Sequence, residues 1–141
     1  MIHSKLIIAT LAGAVLYFLL GWVLYGILLM DFFTNNSIQY EGLMKEMPDL
    51  IFMFLSNLVM AFFLAFILDH WANKKSFAKG FTAGLFITFL IGLSFDLMFY
   101  SSMNIYTPVA LVVDVIVVSV MGGITGGVIG WILGSGKKAE A

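Results

Sequence analysis

Four apolar runs dominate the chain, each long enough to cross about 30 Å of hydrocarbon at about 1.5 Å per helical residue. They cover about residues 6–30, 48–68, 77–100 and 108–133. A backbone inside lipid finds no water for its N–H and C=O groups, so each run must close its own hydrogen bonds as a helix. The β-branched stretch from Val112 to Val120 would suggest a strand in water; in an apolar run of this length it is read as helix. Only 11% of the residues are charged, against roughly 25% in an ordinary soluble domain. The expected fold class is therefore all-α membrane. Residues 1–141 form one integral domain, a bundle of four transmembrane helices, with the lipid bilayer as its first partner.

What the chain lacks narrows its chemistry. It has no Cys, which removes disulfides, thiolate metal sites and thiol nucleophiles. Its seven basic residues are all Lys and its net charge is −1, so neither bidentate phosphate recognition nor a basic footprint for nucleic acid is expected. No Lys lies mid-membrane to form a Schiff base, and no Ser–His–Asp arrangement suits this topology. No enzyme activity, cofactor or metal is expected. The first run is too long for the core of a cleaved signal, and Ala12-Gly13-Ala14 falls too early in it.

Lysine placement orients the bundle. Lys5, Lys74, Lys75, Lys79, Lys137 and Lys138 fall on one side of a four-span topology. Only Lys45 falls on the other, beside Asp31, Glu41, Glu46 and Asp49. The positive-inside rule places both termini in the cytoplasm. Trp71 and Trp131 then lie near the inner interface, and Tyr40, Tyr100 and Tyr106 near the outer one. The outer segment from Asp31 to Met47 is expected to lie on the membrane as a short amphipathic stretch; its Asn35-Asn36-Ser37 sequon reads as a chance triplet. The short link from Ser101 to Thr107 should make the last two helices an antiparallel hairpin.

Small residues recur on the helix faces. Gly122, Gly126, Gly130 and Gly134 repeat every fourth position in the last run, and Gly80, Gly84 and Gly92 share a similar ridge in the third. Such ridges let helix backbones approach closely where lipid supplies no hydrophobic drive. Their first reading is packing within one chain. A homo-oligomer contact, or one with another membrane protein, is the second.

Two aspartates interrupt the last two runs. Asp96 lies four residues before Tyr100, roughly 6 Å below the outer end of its helix, and Asp114 six residues after Pro108, roughly 9 Å below. Tyr25 lies at similar depth, about 9 Å below Asp31. Asn57 and Ser56 in the second run and Ser94 in the third are the other polar candidates. A carboxylate in the hydrocarbon is costly, by about 2.5–3.5 kcal/mol at a helix centre, and no intramembrane base offsets it. Two such groups brought together would hold one proton between them or bind a cation through oxygen ligands. The reading is an outward-opening proton or cation site built from Asp96, Asp114, Tyr25 and Asn57. Its bland counterpart is that each acid is protonated and serves as packing glue. His3, Asp69 and His70 read as separate interfacial groups rather than a metal site.

Gly21-Trp22-x-x-Tyr25-Gly26, taken with "MGGITGGVIGWILG" near the end, resembles small bacterial four-helix membrane proteins grouped as a domain of unknown function. The resemblance implies a compact four-helix fold in a bacterial inner membrane, and carries no activity. Two functions are expected: a small transporter or channel using the outer acids, or a non-transporting accessory or scaffold subunit packing through its glycine-rich fourth helix.

Overall fold

A computed structural model of the chain describes residues 3–136. Lys137 and Lys138, counted in the charge asymmetry, lie outside the described residues. Among the described residues five α-helices form: α1 (Ser4–Val23), α2 (Met30–Asn35), α3 (Leu50–Phe66), α4 (Phe77–Ser102) and α5 (Pro108–Gly134). A π-helical turn extends α1 through Leu24–Leu28, and another extends α3 through Ile67–Trp71. Four helices are long and apolar enough to cross a membrane: Ser4–Leu28, Leu50–Trp71, Phe77–Ser102 and Pro108–Gly134. No strand occurs among the described residues, beyond an isolated bridge between Ser37 and Tyr106.

Local chemistry explains the ends. Asp49 caps α3, its carboxylate accepting from the N–H groups of Ile51 at 3.1 Å and Phe52 at 3.3 Å. Pro48 therefore lies just outside the helix rather than in its first turn. Ser76 caps α4 through the Lys79 N–H, and Thr107 caps α5 through Ala110, with Pro108 in the first turn as expected. The hydroxyls of Ser101 and Ser102 both donate to the Met98 carbonyl, and α4 runs on to Ser102. Helix one spans Ser4–Leu28, within two residues of the expected run; it ends in the π turn, where the Leu29 N–H bonds the Leu24 carbonyl at 2.8 Å, and α2 begins at Met30.

The centre of the bundle is α5. It runs antiparallel to α4 along one side and meets α1 on the other, while α3 lies against α1. Half of the central window of α5 is buried, against 11% for α4, which shows most of its surface outward. The fully buried residues of α3 and its π turn lie in the later part, Ala61, Leu64, Ala65 and Leu68, while Phe54 and Leu58 of the earlier part pack against the core half-buried. Three helices meet at Gly13, where a Cβ would stand 3.2 Å from the Ala61 Cβ and 2.8 Å from the Ile129 Cδ1.

The glycine ridges face each other within the chain. A Cβ on Gly80 would lie 3.1 Å from the Gly130 Cα and overlap the Gly126 carbonyl; one on Gly84 would lie 3.1 Å from the Gly126 Cα and overlap the Gly122 carbonyl. Thr88 fills the next position against Gly122, its hydroxyl bonded to the Gly84 carbonyl at 2.8 Å. Gly134 faces the backbone of Lys75 in the connection between α3 and α4.

Each end of the bundle is tied. At one, Lys5 donates to the Ser135 carbonyl and His3 meets Asp69 at 2.7 Å, bringing together the start of α1 and the ends of α3 and α5. At the other, Ile38 N–H bonds the Ile105 carbonyl at 2.7 Å, Thr107 N–H the Asn36 carbonyl at 3.0 Å, and Tyr40 hydroxyl the Asn104 carbonyl at 3.0 Å. The segment after α1 is thus stitched to the α4–α5 link, not simply laid along a membrane surface.

Replacing Gly126 by Leu must force α4 from α5 and is expected to cost roughly 1–3 kcal/mol or more. Gly21→Ala, whose new methyl would meet only the Met121 Cε at 3.6 Å, is expected to be neutral within about 0.5 kcal/mol or slightly stabilising. Reversible unfolding in mixed micelles, followed by circular dichroism, compares the two.

Candidate functional site: an acidic cavity near one end of the bundle

The α4–α5 contact sets the site. Because the two helices touch backbone to backbone along their glycines, side chains beyond the ridge on the same faces are neighbours. Two turns past Thr88, α4 presents Asp96; just over one turn before Ser119, α5 presents Asp114. Both line a cavity of about 550 Å³ that opens toward the end bearing the Ser37–Tyr106 bridge.

Tyr25 completes the floor. It stands in the π turn, and its hydroxyl donates to the Asp114 carboxylate at 2.6 Å. Such turns widen a helix and re-aim the side chains they carry. Gly26 assists: a Cβ there would stand 2.9 Å from the indole of Trp22, which lies back along the helix. Phe33 of α2 rests on the Tyr25 ring at 5.3 Å and on Tyr106 at 6.4 Å. Phe99, Tyr100, Met30, Met103 and Leu111 supply the remaining wall. Aromatic wall residues were not singled out from sequence, because only the fold separates ring faces that line a cavity from those that meet lipid.

The electrostatics are one-signed. No Lys or His lines the cavity among the described residues. One oxygen of Asp96, Oδ2, is buried without a hydrogen-bond partner among them. At the mouth, burial pushes the Tyr106 hydroxyl above its ordinary pKa, and the charges of Asp114 and Asp96 add to this.

The candidates named from sequence separate. Asp96, Asp114 and Tyr25 come together. Asn57 does not join them: its side-chain amide donates to the Met53 carbonyl of its own helix at 3.0 Å, and it does not line the cavity. Phe54 and Leu58 beside it pack against the core, but the Asn57 amide turns back onto its own helix and no α3 residue lines the cavity among the described residues. Ser56 and Ser94 are exposed and also lie apart. Gly122, Gly126, Gly130 and Gly134 take no part in the cavity; α4 and the connection before it cover them.

A second polar cluster was not anticipated. His3 and His70, read as separate interfacial groups, both meet Asp69, at 2.7 and 3.3 Å, and Lys75 joins at 3.1 Å. The Asp69 side chain is 6% exposed. His70 also stacks on Phe66 at 4.5 Å. Asp69 and His70 are adjacent in the chain, but His3 stands 66 positions from Asp69, and no local pattern announces that pairing. Among the described residues no group of three His, Asp or Glu is arranged to hold a metal ion.

Residues 8–132 match a family model described as a protein of unknown function, DUF1761. The chain belongs to the DUF1761 family. Neither a curated protein nor a solved structure matches it. For this DUF1761 member the geometry therefore carries the functional argument.

Tyr25→Phe removes the donor to Asp114 and nothing else of comparable size. It is expected to cost about 1 kcal/mol or more, the net worth of a side-chain hydrogen bond. Denaturant titrations of wild type and variant measure the difference.

Proposed function

We infer that this protein is a small membrane transporter or channel subunit, not an enzyme, that binds a proton or cation at Asp96 and Asp114 with Tyr25 as their hydrogen-bonding partner. One observation carries the reading. Two carboxyl groups share a cavity that opens at one end of an apolar bundle, with no basic side chain against them. Maintaining that arrangement costs solvation energy, which an arriving proton or cation offsets. Acids that served only as packing glue would be closed off rather than set in a cavity.

The lysines support an orientation. Lys5, Lys74, Lys75 and Lys79 belong to the end opposite the cavity, and Lys45 to the loop on the cavity side. By the positive-inside rule the termini face the cytoplasm and the cavity faces outward, in a membrane we take to be the bacterial inner membrane. Since α5 occupies the centre of the bundle, conduction in this reading requires either a second conformation or a homo-oligomer. The alternative is a non-transporting accessory or scaffold subunit. Its support is the largely outward surface of α4; the glycine ridge of α5 is spent within the chain and would not serve a partner.

In proteoliposomes, Asp96→Asn combined with Asp114→Asn is expected to abolish pH- or cation-driven flux while the helical circular dichroism signal persists. Undiminished flux in a folded double variant would sink the proposal. The absence of Cys makes orientation measurable. A cysteine at Lys45 is expected to react with a membrane-impermeant maleimide in intact cells, and one at Lys74 only after permeabilisation.

A further inference from the structure

The cavity exceeds what an inorganic ion requires, and its walls differ from its floor. At about 30 Å³ per water, a sodium ion with six waters takes up roughly 200 Å³. The cavity holds about 550 Å³, within the range of about 300–1,000 Å³ typical of sites for drug-sized organic molecules. Its acids are Asp96 and Asp114; around them stand Phe33, Phe99, Tyr100 and Tyr106, with Met30 and Met103 near the opening. We propose that the cavity takes an organic ammonium ion with an aromatic or apolar body, its charge on Asp96 and Asp114 and its body against the rings of Phe33, Phe99 and Tyr106. The proposal rests on the reading of the two acids as a cation site.

Three features favour this class of ligand. Aromatic faces attract cations and also bury apolar surface, so a wall of rings suits a charge joined to a greasy body better than a hydrated ion. The Oδ2 of Asp96 is without a partner while Tyr25 engages Asp114, so the two acids offer unequal acceptors. Thioether side chains adapt to varied apolar shapes. The charge of the wall also selects among ammonium compounds. A phospholipid headgroup brings a phosphate with its ammonium, and the cavity offers that phosphate two acids and no Lys or His among its described residues. The ligand is therefore a net cation rather than a zwitterionic lipid.

The test uses the full chain in phosphatidylcholine nanodiscs and radiolabelled phenyltrimethylammonium, whose permanent charge confines any pH effect to the protein. Saturable binding is expected, with about tenfold or greater preference over tetramethylammonium, reflecting the buried ring. Binding should fall as acid protonates the site, and disappear with Asp96→Asn plus Asp114→Asn. Phe99→Leu keeps an apolar side chain but removes the ring, and should narrow the preference by about threefold. Equal or tighter binding of tetramethylammonium overturns the inference, as does one-for-one displacement by added phosphatidylethanolamine. Absence of organic-cation binding, with proton or Na⁺ flux still dependent on both aspartates, overturns this inference and spares the broader reading. If neither binding nor flux depends on the aspartates, both fall.

Discussion

Everything at the cavity depends on the backbone contact between α4 and α5. Lipid offers helices no hydrophobic reason to associate, so their approach relies on dispersion between closely fitted surfaces. Gly80 and Gly84 against Gly122, Gly126 and Gly130 provide that fit. The contact also fixes rotation. Once the ridges interlock, the faces that carry Asp96 and Asp114 farther along the same helices are turned toward each other. A helix pair held by bulky, interchangeable side chains would leave that angle free.

Past the ridge the helices admit larger residues. Gly92 faces the Val118 side chain rather than backbone, and beyond it the cavity begins. The bundle is thus close-packed where glycines meet and open where the acids lie. The stitching of Ile38 to Ile105 and Thr107 to Asn36 holds the surrounding loops together, and α2 brings Phe33 onto Tyr25 and Tyr106. Both polar clusters of the bundle include a π turn. Leu24–Leu28 carries Tyr25, and Ile67–Trp71 carries Asp69 and His70. Each wide turn interrupts the ordinary ladder where a side chain reaches across to another helix, a recurring association of such turns with special side-chain placement.

Much of this was legible in the residues. Four spans followed from run length, the start of α5 from Pro108, and the α4–α5 hairpin from the brevity of its link. The glycine ridge was readable because its spacing repeats each helical turn. The common depth of Asp96, Asp114 and Tyr25 followed from counting rise per residue. Asn57 shows where such counting stops. Depth gives a height along the bundle, but not a direction, and α3 keeps Asn57 on its own Met53 carbonyl. The π turn that carries Tyr25 was hidden as well, since apolar residues continue through Leu24–Leu28 without a Pro to mark the change.

The sequence alone determined that the chain is helical, with four runs long and apolar enough to cross a membrane, and how far the acids lie from the helix ends, because these depend on length, composition and period. The tertiary structure alone decided that Tyr25 donates to Asp114, that His3 finds Asp69, and that Asn57 stands aside. Those outcomes depend on the rotation of each helix about its axis and on two π turns, and both are set by contacts between segments far apart in the chain.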